Sequence, residues 1–271
     1  MSVFKTVCVF VGVVLSATVA FASGGAEQAL EKVHNNLHDA ASLQRGAAFF
    51  VNQCSGCHTL KHVRYNQLVD YLGMKPHPGM TADEVKDLKL KYEDMIQRNL
   101  NFVSDKVTDS ITNAMRPQDA AVWFGKEPPD LTLTTRVRGK DWLYTYLKSF
   151  YRDPARPWGV NNLVFPDVGM PHVLVGLQGL QTPVYETEMV EDETGAQTEK
   201  KVIVGLQLTQ PGIMEPEEFD KAMTDLVNFL QYVAEPIKLE RERLGVWVLL
   251  FLVILIIFSY LLKREFWKDV H

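Results

Sequence analysis

Two uninterrupted apolar runs stand at the ends of a chain whose middle mixes apolar and polar positions. Val7 to Leu15 is the first, too short to span a bilayer as a mature helix. Lys5 precedes it and Ala20-Phe21-Ala22 follows, a small-x-small cleavage pattern. These features predict a secretory signal peptide over 1–22, with an uncleaved N-terminal anchor as the alternative. Leu244 to Leu262 is the second run, free of charge throughout and bounded by Arg243, Lys263 and Arg264. At about 1.5 Å per residue it reaches roughly 28 Å, near the thickness of a bilayer core. Trp247 and Tyr260 sit near its ends, where amphipathic rings favour the membrane interface. The order of the runs predicts an exported domain over 23–243, a transmembrane helix over 244–262 and a cytoplasmic tail over 263–271.

Between the ends, apolar residues recur at helical spacing. Leu43, Gly46, Ala47 and Phe50 make one stripe, and Phe219, Met223, Leu226 and Leu230 make a second. Pro236 closes the second helix, and Gly46 permits a close helix crossing. Thr81 with Glu84 is a capping box, opening a helix with Val85, Leu88, Tyr92, Met95 and Ile96 on one face. Met95 and Met223 are expected in the core and Met189, among acidic residues, at the surface.

The chain has 271 residues, 46% hydrophobic and 23% charged, with a net charge of −5. This excludes a mostly disordered chain and a polytopic membrane protein, and the sign argues against a nucleic-acid partner. Three cysteines are too few for a disulfide scaffold. Cleavage would remove Cys8 and leave Cys54 and Cys57.

Those two stand in Cys54-Ser55-Gly56-Cys57-His58, the C-x-x-C-H pattern of covalent c-type haem attachment. Both thiols form thioethers and His58 is placed as an axial iron ligand. A zinc site wants more ligands, a thioredoxin-like pair wants a βαβ context, and a plain disulfide has no use for His58. An electron carrier needs a sixth ligand, and a methionine thioether raises the potential and closes the site. Met74, Met80, Met95, Met115, Met170, Met189, Met214 and Met223 are candidates, with His62, His77 and His172 as rivals. Met170 stands between Gly169 and Pro171, which shape an irregular, rigid loop. His34 and His38 are four apart but lack a third ligand, so a surface pair is expected.

Longer motifs carry a resemblance. Pro128-Pro129-Asp130-Leu131-Thr132 runs into Arg136-Val-Arg138-Gly and Asp141-Trp-Leu-Tyr-Thr-Tyr-Leu. Val168-Gly-Met170-Pro171 and Asp225-Leu-Val-Asn-Phe-Leu follow, then the C-terminal apolar run. Over roughly residues 40 to 268 the chain resembles the cytochrome c1 family, haem subunits of quinol–cytochrome c reductase (cytochrome bc1) complexes, in a proteobacterial version. The resemblance implies that Met170 is the axial methionine, that Arg138 pairs with a haem propionate, and that Pro128 and Pro129 belong to a haem-edge loop. Trp142 falls near a position often occupied by tyrosine in the family, with different spacing.

The expected fold is all-α and class I cytochrome c-like, with long loops inserted between the haem motif and the Met170 loop, plus one C-terminal transmembrane helix. The resemblance implies one covalently attached haem c and no bond-breaking site. It implies electrons taken from the Rieske iron–sulfur subunit and passed to cytochrome c, beside cytochrome b, in a dimeric complex of the bacterial inner membrane, with the haem domain in the periplasm. A free-standing membrane-anchored monohaem cytochrome serving a terminal oxidase or nitrogen-oxide reductase is the alternative. A haem enzyme or gas sensor with an open sixth position is the third reading. The acidic residues Glu186, Glu188, Glu191, Asp192 and Glu193 predict a solvated hairpin or loop, or a surface that steers a basic cytochrome c.

Overall fold

The computed structural model describes residues 29–191 and 197–270. The leader assigned to 1–22 lies outside the described residues, as do Asp192 and Glu193 of the acidic cluster.

Helix α1 (Ala40–Gln53) begins where the Asp39 carboxylate accepts the Ser42 N–H at 3.0 Å, a satisfied N-cap. Its inward face is Leu43, Gly46, Ala47 and Phe50. The last long helix of the core is at Pro216–Ala234, and it buries Phe219, Met223, Leu226 and Leu230. The two helices cross at Gly46, where a Cβ would lie 2.1 Å from the Asp225 carbonyl oxygen. Only glycine allows that approach. Phe50 and Phe229 meet beside it at 6.1 Å between centroids. Arg45 grips the nearly buried Asp225 with both prongs, at 2.6 and 2.9 Å. A planar guanidinium suits such a bidentate pair.

Between these helices lie α2 (Ala82–Asn99), α3 (Pro117–Phe124) and α4 (Lys140–Lys148); the Pro216–Ala234 helix is therefore α5. One-turn helices occur at Leu68–Tyr71, Thr134–Val137 and Val175–Gln178. The Thr81–Glu84 capping box opens α2 as the spacing predicts. On α2, however, only Ile96 is buried. Neighbours on a helix are turned about 100° apart, so with Ile96 inward Met95 faces solvent, 43% exposed. The expectation of a core Met95 is corrected; Met223 is fully buried and Met189 exposed, as expected.

The all-α expectation is also corrected. Among the described residues about 49% are helical and three two-stranded antiparallel sheets occur. Strand β1 (Leu60–Arg64) pairs with β2 (Ser110–Ile111), and β3 (Phe150–Arg152) with β4 (Val160–Asn162). The third pair is long: β5 (Gly179–Glu191) with β6 (Gln197–Pro211). Val202, Ile203, Val204, Leu206 and Leu208 make β6 rich in β-branched and other apolar residues, a composition that suits a strand. Glu186 and Glu188 lie exposed on β5, so the hairpin expectation for this stretch holds where it is described. The stretch between the haem motif and Met170, expected as long loops, holds α2, α3 and α4 as well as β1 to β4.

Helix α6 (Lys238–Phe266) contains the Leu244–Leu262 run and buries no residue. It is the one described helix long and apolar enough to cross a membrane. Lys238, Arg241 and Arg243 extend it past the apolar run on one side.

The segment before α1 is tied to α4 through Asp141. Its carboxylate accepts from the Val33 N–H at 3.0 Å, from Lys32 at 3.0 Å and from Lys140 at 2.8 Å. Burial alone would raise this carboxyl's pKa, but those donors outweigh it and hold the group at about 2. A carboxyl depressed below its unfolded value, about 3.9, stabilises the fold above that pH and loses the contribution as pH falls. Thermal unfolding of the wild type should therefore move to lower temperature between about pH 4 and pH 2. Asp141→Asn should flatten that part of the curve; an unchanged curve would show that the tether contributes nothing.

Candidate haem site

The C-x-x-C-H segment continues the last turn of α1. The Cys54 N–H donates to Phe50 O at 2.8 Å and the His58 N–H to Cys54 O at 2.9 Å. Asn113 closes the turn from outside, its Nδ2 donating to Cys57 O at 2.5 Å. Cys54 and Cys57 are free thiols. Burial, then the neighbouring Cys57, pushes the Cys54 thiol up to about 12, and burial raises Cys57 too. Reactive redox cysteines show the opposite shift, and the motif follows a helix and leads into an antiparallel strand pair, without the βαβ context of a thioredoxin-like site.

His58 Nδ1 lies 2.8 Å from the Pro129 carbonyl oxygen, across 71 residues of chain. A neutral imidazole donating from Nδ1 keeps its lone pair on Nε2, the arrangement a metal ligand needs. Burial lowers the His58 pKa against the opposing pull of the Pro129 carbonyl and Asp130, which favours that neutral form. The loop that supplies Pro129 is itself anchored. Asp130 accepts from Thr59 Oγ1 at 2.7 Å, from the Lys61 N–H at 2.6 Å and from the Thr132 N–H at 3.0 Å. The Leu131 N–H adds a bond to Thr59 O at 2.9 Å. Pro129, expected from the sequence in a haem-edge loop, meets His58 through its carbonyl.

Arg138 is exposed, and no carboxylate approaches it among the described residues. Its guanidinium lies 5.1 Å from the centre of the Trp142 ring and 5.9 Å from that of Phe165. Trp142 stacks in turn on Tyr146, 5.1 Å away and 12° from parallel. The Tyr146 hydroxyl reaches Met170 Sδ at 3.3 Å. Residues 138, 142 and 146 follow helical i, i+4 spacing, so α4 and its lead-in turn make one continuous ladder from arginine to methionine. Cys54, Trp142 and Tyr146 pack against the main core, while Tyr146 and Met170 pack against a smaller one of Phe150, Val160 and Val168.

The Met170 loop is braced from two sides. On one side the Asp167 N–H donates to Asn161 Oδ1 at 2.9 Å. Asp167 takes a positive φ of 61° and pairs with Arg156 at 2.8 Å. The rival His172 is buried, stacked on Phe150 at 5.0 Å and 2°, with Nε2 3.3 Å from Gly179 O. That ring is committed to packing. His34 and His38 are exposed and lie outside any helix. Tyr146, Asn113, Asp130 and the Pro129 carbonyl are the participants that sequence reasoning missed. Asp130 and Tyr146 stand inside the motifs that carry the resemblance, whereas Asn113 left no signal in the sequence.

The donor set therefore fits haem c. It offers two neutral thiols one turn apart, an imidazole with its outer nitrogen oriented, a thioether in a braced loop and an arginine without a carboxylate partner.

Comparison with known proteins agrees. The Cytochrome C1 family model matches residues 31–199 and 213–270. A cytochrome c1 of Allochromatium vinosum is 49% identical over 257 residues, covering 95% of this chain and 96% of its own. A protein of Nitrosomonas europaea named ammonia monooxygenase gamma subunit is 40% identical, with coverage of 95% and 96%. A cytochrome b/c1 of Bradyrhizobium diazoefficiens is 25% identical over 86% of this chain and 34% of its own.

Proposed function

This chain belongs to the cytochrome c1 family, and from that premise we propose that it carries single electrons from a Rieske iron–sulfur protein to a cytochrome c. Family membership implies covalently bound haem c and electron transfer within a cytochrome bc1 complex. The finer reading has one haem on Cys54 and Cys57, with His58 and Met170 as axial ligands and Arg138 at a propionate. Cytochrome b is the further partner, in a dimeric assembly. Residues 1–22 are removed on export, 23–243 stand in the periplasm, 244–262 span the inner membrane and 263–271 remain in the cytoplasm.

The observation that carries this reading is the His58 imidazole, whose Nδ1 lies 2.8 Å from the Pro129 carbonyl oxygen and so leaves Nε2 for a metal. When bound, the haem supplies reversible one-electron chemistry. The chain's own groups do the rest. The Pro129 carbonyl fixes the His58 tautomer. The Asp130 network holds that carbonyl still, so little need reorganise when charge changes. The Met170 thioether favours the reduced state and leaves no position for a substrate. Arg138 offers a planar fork to a carboxylate.

Carbon monoxide tests the closed site. The reduced full-length protein in detergent should not bind it, and binding would favour the sensor or enzyme reading. Purification from membranes should bring along a b-type haem spectrum. Its absence would favour the free-standing carrier.

A further inference from the structure

Tyr146 is half-buried, with rings on three sides. Trp142 stacks on one face, Phe150 meets it at 5.2 Å and 71°, and Phe165 at 6.4 Å and 74°. A phenol held this way has one polar atom to satisfy, and a buried hydroxyl without an acceptor is costly. Its partner is Met170 Sδ at 3.3 Å. Thioether sulfur is a weak acceptor, an unusual partner for a phenol hydroxyl.

A thioether has two lone pairs. A hydrogen bond on one leaves the other for a metal and sets the direction it faces. The same bond draws density from sulfur, which weakens its donation most toward the electron-poor oxidised iron. The ladder makes the geometry firm, because the ring cannot turn without disturbing Trp142, over which the Arg138 guanidinium lies.

We propose that Tyr146 is a positioning residue for Met170, its hydroxyl fixing which sulfur lone pair faces the iron and holding the reduction potential up. This rests on the reading of Met170 as the sixth ligand.

The test compares full-length, haem-loaded wild type with Tyr146→Phe and Tyr146→Leu, and uses Met170→Leu as the reference for ligation. Readouts are the midpoint potential and the weak near-infrared thioether-to-iron band of the oxidised protein. Phenylalanine keeps the ring stack and removes only the hydroxyl. Tyr146→Phe should retain the band at a shifted energy. Its one-electron equilibrium constant should fall about threefold, about 30 mV at 59 mV per tenfold. Tyr146→Leu should fall at least as far. An unchanged potential and band in Tyr146→Phe would overturn the proposal. So would a shift in Tyr146→Leu alone, which would assign the effect to ring packing. If the wild type lacks the band, the ligand reading fails and the proposal with it. If the band is present and only Met170→Leu removes it, with no effect of Tyr146→Phe, the ligand reading stands and the tyrosine role falls.

Discussion

Met170→Leu should abolish the near-infrared band of the oxidised protein and lower its midpoint potential by on the order of 0.1 V or more, within the roughly 0.8 V that axial ligands command. Leucine has nearly the volume of methionine, and such swaps cost less than about 1.5 kcal/mol in a packed site. The substituted side chain would still meet Phe150, Val160 and Val168, so the loop should persist. Tyr146 loses its acceptor, which adds about 1–3 kcal/mol and leaves the fold in place. What disappears is the sulfur lone pair. The reduced variant should then bind carbon monoxide. A band that survived would move the ligand to another methionine. Met223 is sealed inside the core and Met189 lies exposed on β5, so neither is a ready substitute.

Gly46→Ala should cost about 2–3 kcal/mol net, lowering the melting temperature by about 5–10 °C. The added Cβ would stand 2.1 Å from Asp225 O, 2.7 Å from Asp225 C and 2.7 Å from Phe229 Cβ. Two of those atoms are backbone and cannot rotate away, so α1 and α5 must part. The intrinsic helix preference of alanine returns only about 1 kcal/mol. Parting the helices also strains the Arg45–Asp225 pair and shifts the end of α1, where Cys54 sits, so haem incorporation should fall with stability. Thermal denaturation followed by circular dichroism, with Gly245→Ala as control, measures this. A Cβ at Gly245 meets nothing within 4 Å, and that variant should lose no stability. Equal melting temperatures for Gly46→Ala and wild type would mean that the crossing yields more easily than its geometry implies.

Much of this protein is written locally and can be read locally. The C-x-x-C-H motif needs only five consecutive residues. The α1 and α5 stripes, the Thr81 capping box and the α6 run each follow from helical period or composition, because their causes lie within a turn or two of chain. The crossing at Gly46 was foreseeable too, since a glycine on a buried helical face invites another backbone. Local pattern failed where packing chose among equivalent faces. Met95 belongs to an apolar stripe by spacing, yet α2 buries only Ile96 and turns Met95 outward. A hairpin was one expectation for the acidic stretch around Gly195, but the length of β5 and β6 depended on which residues each strand met across it. Tertiary structure alone decided the finer chemistry. The His58 imidazole is oriented by a carbonyl 71 residues away, and the Met170 sulfur by a hydroxyl 24 residues earlier. Such contacts arise only when separate elements dock on a shared core. No period or propensity along the chain encodes which atoms then meet.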